Sequence, residues 1–152
     1  MEKNVQLELD NQLCFALYAC AREVTKLYRP FLDELGITYT QYVTLLALWE
    51  KDEVSVKELG RRLYLDSGTL TPLLKKLEGM KLLRRERDPQ DERSVVVRLT
   101  DEGRALKERA AAIPERVFCQ TSLSPADITA LREQLRRLTA EVHAGSCEPT
   151  DR

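Results

Sequence analysis

The 152-residue chain has a single histidine and four cysteines, and no two of the cysteines stand in a Cys-x-x-Cys spacing. A zinc site needs three or four such ligands converging at short sequence intervals, so neither a metal nor any other cofactor is expected. Long apolar runs are missing too. The longest, 13–21, is far short of the roughly 20 residues of a membrane-spanning helix, and residues 1–10 are polar and acidic rather than a targeting signal. No membrane partner is expected, and the location should be cytoplasmic, where the cysteines stay mainly as thiols. There is no internal repeat, low-complexity tract or linker, which points to a single domain over 1–152.

What is present is an uneven charge. The whole chain carries −1, but residues 57–98 hold 11 Lys or Arg against 7 Asp or Glu, so this stretch is +4 and the remainder −5. A basic module on an acidic body suits local contact with phosphates, and so modest an excess implies few contacts per subunit. The same stretch has the grammar of a winged helix-turn-helix, expected over about 53–100. Ser55 and Glu58 form a capping box that opens a short helix, and Asp66-Ser67 restarts the chain after only a tight turn. The second helix, about 67–80, places Leu70, Leu73, Leu74 and Leu77 on one face, which turns Thr69, Thr71, Lys75 and Lys76 outward; Ser67, at the helix start, is expected to contact DNA with them. Short hydroxyls reach base edges in a major groove and lysines meet phosphates, so the leading partner is double-stranded operator DNA. Period-two segments at 83–87 and 95–99, joined by a polar turn at 88–94, read as a hairpin wing bearing Arg87, Asp91 and Arg93, with Arg93 at the tip suited to a narrow minor groove.

The rest reads as helix, giving a mainly α chain of about six helices with a small β-hairpin. One helix covers about 10–35 and ends at Gly36; Thr38 and Gln41 cap a second to about 51. Thr100 opens a helix to about 120, kinked at Pro114, and Ser124-Pro125 opens the last, to about 143. A flexible tail is expected over 145–152. The first helix has two apolar stripes side by side, one from Leu13 to Phe31 and one containing Cys14, Tyr18, Tyr28 and Leu32. So wide an arc needs cover on two sides. A second subunit supplies it most simply, with about 10–35 and 101–143 as dimerisation helices and two recognition helices for a palindromic site.

Spacing alone singles out none of Cys14, Cys20, Cys119 and Cys147. Three tracts taken together do: LDNQLCFALY at 9–18, LYLDSGTLTPLLK at 63–75, and DERS at 91–94 followed by Leu99-Thr100 and Gly103. They resemble the organic hydroperoxide regulators (OhrR-type) of the MarR family of winged helix-turn-helix repressors, over about 9–142. The resemblance implies that Cys14 is the peroxidatic thiolate and that Tyr28 and Tyr39 of the partner subunit hydrogen-bond it. PERVFC at 114–119 resembles the two-cysteine subclass, in which Cys119 of the other subunit resolves the oxidised thiol as a disulfide. No sensing role is implied for Cys20 or Cys147, and no catalytic residue in the enzymatic sense. The implied function is a homodimeric repressor that leaves DNA when organic hydroperoxide, its inducer, oxidises Cys14 in a pocket of Leu13, Phe15, Leu17, Phe31 and tyrosine rings. Two alternatives stay open at this point: a MarR-type repressor relieved by a small aromatic ligand, and a thiol peroxidase.

Overall fold

The computed structural model describes residues 4–146. They fall into two compact units that divide after Ile113. The first contains α1 (Leu13–Leu35), α2 (Tyr39–Glu50), β1 (Val54–Ser55), α3 (Val56–Leu63), α4 (Ser67–Gly79), β2 (Leu83–Asp88), β3 (Asp91–Leu99) and α5 (Asp101–Ala110). A short α6 (Ile113–Phe118) runs across the division, and the second unit holds α7 (Pro125–Ser146). The chain is thus mainly helical with one antiparallel sheet in the order β1-β3-β2.

Helix starts follow their caps. Thr38 and Gln41 make a complete reciprocal box at 3.3 and 2.9 Å, Asp66 accepts the Thr69 amide at 2.7 Å and Thr100 the Gly103 amide at 3.1 Å. Gly36 ends α1 at φ +70°, a conformation that costs a side-chain-bearing residue about 1 kcal/mol. The core is aliphatic: Leu45 and Leu48 of α2, Leu59 of α3, Leu70, Leu74 and Leu77 of α4, with Leu83 and Val97 of the sheet, are all sealed from solvent. Each such leucine contributes roughly 1.5–3 kcal/mol, which is what fixes α4 against α2 and α3. Leu73, expected on the same face, is only half-buried.

Several boundaries differ from the sequence reading, each for a local reason. Helix α1 begins at Leu13 rather than near 10, because the Asn11 and Gln12 side-chain amides donate back to the carbonyls of Val5 (2.9 Å) and Gln6 (2.6 Å) and hold two preceding 3₁₀ turns. The Ser55 box is half formed: Ser55 accepts the Glu58 amide at 3.0 Å, but the Glu58 carboxylate is taken by Lys51 at 2.8 Å, a charge-assisted bond. The hairpin turn contracts to Pro89-Gln90, with Asp88 paired to Asp91. Asp88 and Asp91 accept the amides of Gln90 and Arg93 and so let strand pairing reach the tip. The helix expected from Thr100 to 120 is two, α5 and α6. Pro114 cannot donate to the Ala110 carbonyl and its ring would collide with it; the chain breaks at Ala111-Ala112, and Pro114 then sits in the first turn of a new helix. Helix α7 extends through Gly145 to Ser146, into the expected tail, and Cys147 lies outside the described residues. Strand β1, pairing Val54 with Val97 and Ser55 with Val96, had no period-two signal to announce it.

One node ties these pieces together. The Trp49 indole donates to the Gly103 carbonyl at 2.8 Å, Thr100 bonds the carbonyls of Leu82 and Lys81 at 3.1 and 2.6 Å, and Gly103 lies so close to Leu82 that no Cβ fits. The end of α2, the exit from α4 and the exit from the wing therefore meet at the first turn of α5.

Candidate functional site

The face expected to meet DNA is formed by α4 and the hairpin. Ser67, Thr69, Lys75 and Lys76 are exposed and Thr71 is half-buried. A cleft of about 610 Å³ between α3, α4 and the wing is lined by Ser67, Thr71, Asp91 and Arg93, together with Lys57 and Arg85. Thr69, Lys75, Lys76 and Arg87 lie outside it. Sequence reasoning passed over Lys57 and Arg85, although both sit in the basic stretch. Arg85 pairs with Glu78 of α4 at 2.7 Å, which braces the wing against the recognition helix. Asp91 shapes the turn, accepting the Arg93 amide at 3.1 Å, and Arg87 donates across the hairpin to the Glu92 carbonyl at 3.2 Å. With Arg85 engaged by Glu78, Lys57 and Arg93 still outweigh Asp91 and leave the cleft positive, as a phosphate-lined partner requires.

The thiol and the phenols are far apart within one chain. Cys14 is the second residue of α1 and is exposed. Tyr28 lies 14 residues further along the same helix, about 21 Å away at 1.5 Å per residue. It is buried, 7 % exposed, with its ring centroid 5.1 Å from that of Tyr39 and 5.7 Å from that of Tyr42. Tyr42, not singled out from the sequence, completes a triangle at 6.2 Å from Tyr39. Burial pushes the Tyr28 phenol up to about 12, helped by the neighbouring Tyr39 and Tyr42 hydroxyls. Burial likewise raises Tyr39, and raises Tyr42 with a smaller contribution from Tyr39. All three are protonated donors at neutral pH.

Cys20 is exposed six residues beyond Cys14, about 9 Å along the helix and on another face, too far for a bridge without unwinding α1. Cys119 is exposed in the turn that follows α6, its thiol donating to the Arg116 carbonyl at 3.1 Å. Around Cys14 the chain leaves Leu13 (63 % exposed), Phe15 and Tyr18 (60 % exposed) uncovered, with Leu17 half-buried. In the second unit, Leu131, Leu135 and Val142 of α7 are likewise uncovered. Among the described residues no group of three His, Cys, Asp or Glu is placed to hold a metal ion, and no helix is long and apolar enough to cross a membrane.

Comparisons with known proteins bear on both halves. The family model described as Transcriptional regulator SarA/Rot matches residues 26–110. The organic hydroperoxide resistance transcriptional regulator of Bacillus subtilis (strain 168) is 49 % identical over 137 residues, 90 % of this chain and 93 % of that protein. Among solved structures, reduced AbfR bound to DNA has a TM-score of 0.73 at 36 % identity, over 90 % of this chain and 95 % of that one; AbfR is a Staphylococcus epidermidis protein. Overoxidised AbfR has also been solved bound to DNA, with the same TM-score of 0.73. Disulfide-formed AbfR matches with a TM-score of 0.62 at 39 % identity, over 88 % of this chain and 94 % of that one.

Proposed function

The chain belongs to the MarR-family transcriptional regulators, in the branch of the organic hydroperoxide resistance regulators and the SarA/Rot proteins, and from that membership we propose a cytoplasmic homodimeric repressor that senses organic hydroperoxide through Cys14. It is a regulator and not an enzyme. In this reading 1–152 act as one MarR-type domain. Operator DNA is read by Ser67, Thr69, Thr71, Lys75 and Lys76 in the major groove and by the wing with Arg87, Asp91 and Arg93.

The observation that carries the sensing half is the separation of Cys14 from Tyr28 within one α1, together with the uncovered apolar side chains beside the thiol. A site split over about 21 Å closes only if a second copy brings its phenols to the first copy's cysteine. The alkyl chain of a peroxide would then lie against Leu13, Phe15, Leu17 and Phe31. The Cys14 thiolate attacks the outer peroxide oxygen, giving the sulfenic acid and an alcohol. Cys119 of the other subunit then condenses with the sulfenic acid, releasing water and forming a disulfide. AbfR is found on DNA in both its reduced and overoxidised forms. That favours the disulfide, rather than sulfur oxidation as such, as the releasing event. Bridging demands Cα atoms within about 7 Å, so any wider gap in the reduced dimer has to be closed by moving helices. A few ångströms of change between two recognition helices set one DNA turn apart cost several kcal/mol of specific binding.

The test is operator binding and non-reducing electrophoresis after cumene hydroperoxide. The parent protein should release its operator and run as a covalent dimer. Cys14→Ser should bind DNA and ignore the peroxide, and the covalent dimer should vanish in Cys119→Ser but persist in Cys20→Ser and Cys147→Ser. Peroxide-driven release by Cys14→Ser would refute the assignment.

A further inference from the structure

The thiolate is provided for by two phenols in the proposed site, and the third phenol of the same cluster has no part in that scheme. Tyr42 is only 2 % exposed, and its ring touches those of both Tyr28 and Tyr39. Among the described residues its hydroxyl has no hydrogen-bond partner, yet no side-chain oxygen is both sealed from solvent and unpaired. The Tyr42 hydroxyl must therefore reach the lip of the ring cluster while the rest of the residue is buried. A phenol so placed, with its donor unused, lacks only an acceptor supplied from outside the chain.

We propose that Tyr42 is the proton donor to the departing oxygen of the peroxide. The inference rests on Cys14 of the second copy being the peroxide-reactive thiol. A sulfur electron pair forms the S–O bond to the outer oxygen, and the O–O bond breaks. Its electron pair leaves with the alkyl-bearing oxygen. Sulfur is oxidised to the sulfenic acid, which keeps the hydrogen of the outer oxygen, and the peroxide is reduced. The alkoxide so formed is far more basic than a phenolate, so the Tyr42 proton moves to it downhill, completing the alcohol, and water reprotonates the phenolate. Donors on sulfur steady the thiolate before reaction but do nothing for the oxygen that leaves. A donor on that oxygen acts where charge develops in the transition state, which is where an interaction accelerates a reaction. A phenol is protonated at neutral pH and burial only raises its ordinary value of 10.0, so the proton is present when needed.

The test separates proton donation from ring packing. Loss of the Cys14 thiol is followed by rapid quenching and mass spectrometry, with cumene hydroperoxide, with peracetic acid, whose carboxylate needs no proton to leave, and with an alkylating bimane. Tyr42→Phe keeps the ring and removes the donor. It should slow reaction with cumene hydroperoxide about 100-fold, the low end for a positioned proton donor, and change the peracid and bimane rates less than about threefold. Equal slowing with both oxidants, or none with either, would overturn the proposal. A second measure needs no variant: across ring-substituted cumene hydroperoxides, the unaltered protein should show rates that depend weakly on leaving-group acidity, and a steep dependence would also overturn it. If Cys14 of the unaltered protein reacts with none of these peroxides, it is the sensing function that fails, which is a different result.

Discussion

Replacing Gly103 by alanine tests whether the contact at the start of α5 is what holds the wing to the recognition helix. A Cβ there would fall 2.0 Å from the Leu82 carbonyl oxygen, 3.0 Å from its carbon and 3.2 Å from Leu99 Cδ2. Since a comfortable carbon–oxygen approach is about 3.3 Å, backbone must move by more than 1 Å. The two nearest atoms belong to the Leu82 backbone, so no flexible side-chain end can relieve the clash. Movement stretches the Thr100–Leu82 bond of 3.1 Å and the Trp49–Gly103 bond of 2.8 Å. Overpacking of this kind costs about 1–3 kcal/mol and each weakened bond about 1 more, so the expected loss is about 3–5 kcal/mol against a total stability of about 5–15. Gly79, near the end of the same recognition helix, is the control: a Cβ there meets nothing within 4 Å, and its φ is not positive. Gly79→Ala should be neutral or stabilise by up to about 0.5 kcal/mol. Urea unfolding of the reduced protein at fixed concentration measures both, and operator binding should weaken only in Gly103→Ala. A Gly103→Ala protein within about 1 kcal/mol of the parent would refute the reasoning.

Two further outcomes follow from the site. Arg93→Ala should weaken operator binding and reduce the slope of log affinity against log salt by about 1, while Thr69→Ala should relax base preference and leave that slope unchanged, because a hydroxyl neutralises no phosphate; titrations at several salt concentrations distinguish them, and an unchanged Arg93→Ala removes the wing. Ultraviolet titration of the reduced protein should show a tyrosine ionising near pH 12 that is missing in Tyr28→Phe. Because the folded-state value lies above the ordinary 10.0, the stability tied to this neutral phenol is complete below pH 10 and is lost as pH rises towards about 12.

The helix-turn-helix was legible because its signals are local. Ser55, Asp66 and Thr100 accept amides three residues ahead wherever the chain goes, and the Leu70, Leu74 and Leu77 stripe depends only on helical period. Readings that depended on competition between partners were less secure. Glu58 had two bonding choices within reach, the Ser55 amide and the Lys51 ammonium, and only the folded arrangement brings Lys51 to 2.8 Å. Pro114 announced a disturbance but not its form, since a kink and a break differ in whether two residues can be spared from helix.

Cys14 shows the same division in the candidate site. Its place on α1, and the distance to Tyr28 along that helix, follow from residue count and helical rise alone. The order of residues also settles the basic character of 57–98 and the faces of α4. It does not contain the gathering of Lys57, Arg85 and Arg93 around one cleft, nor the closing of the Tyr28, Tyr39 and Tyr42 rings into a triangle. Those contacts join α1 to α2 and α3 to the wing. They exist only because burial of a shared aliphatic core sets the helices at particular angles, and sequence spacing carries no information about an angle between elements until they have packed.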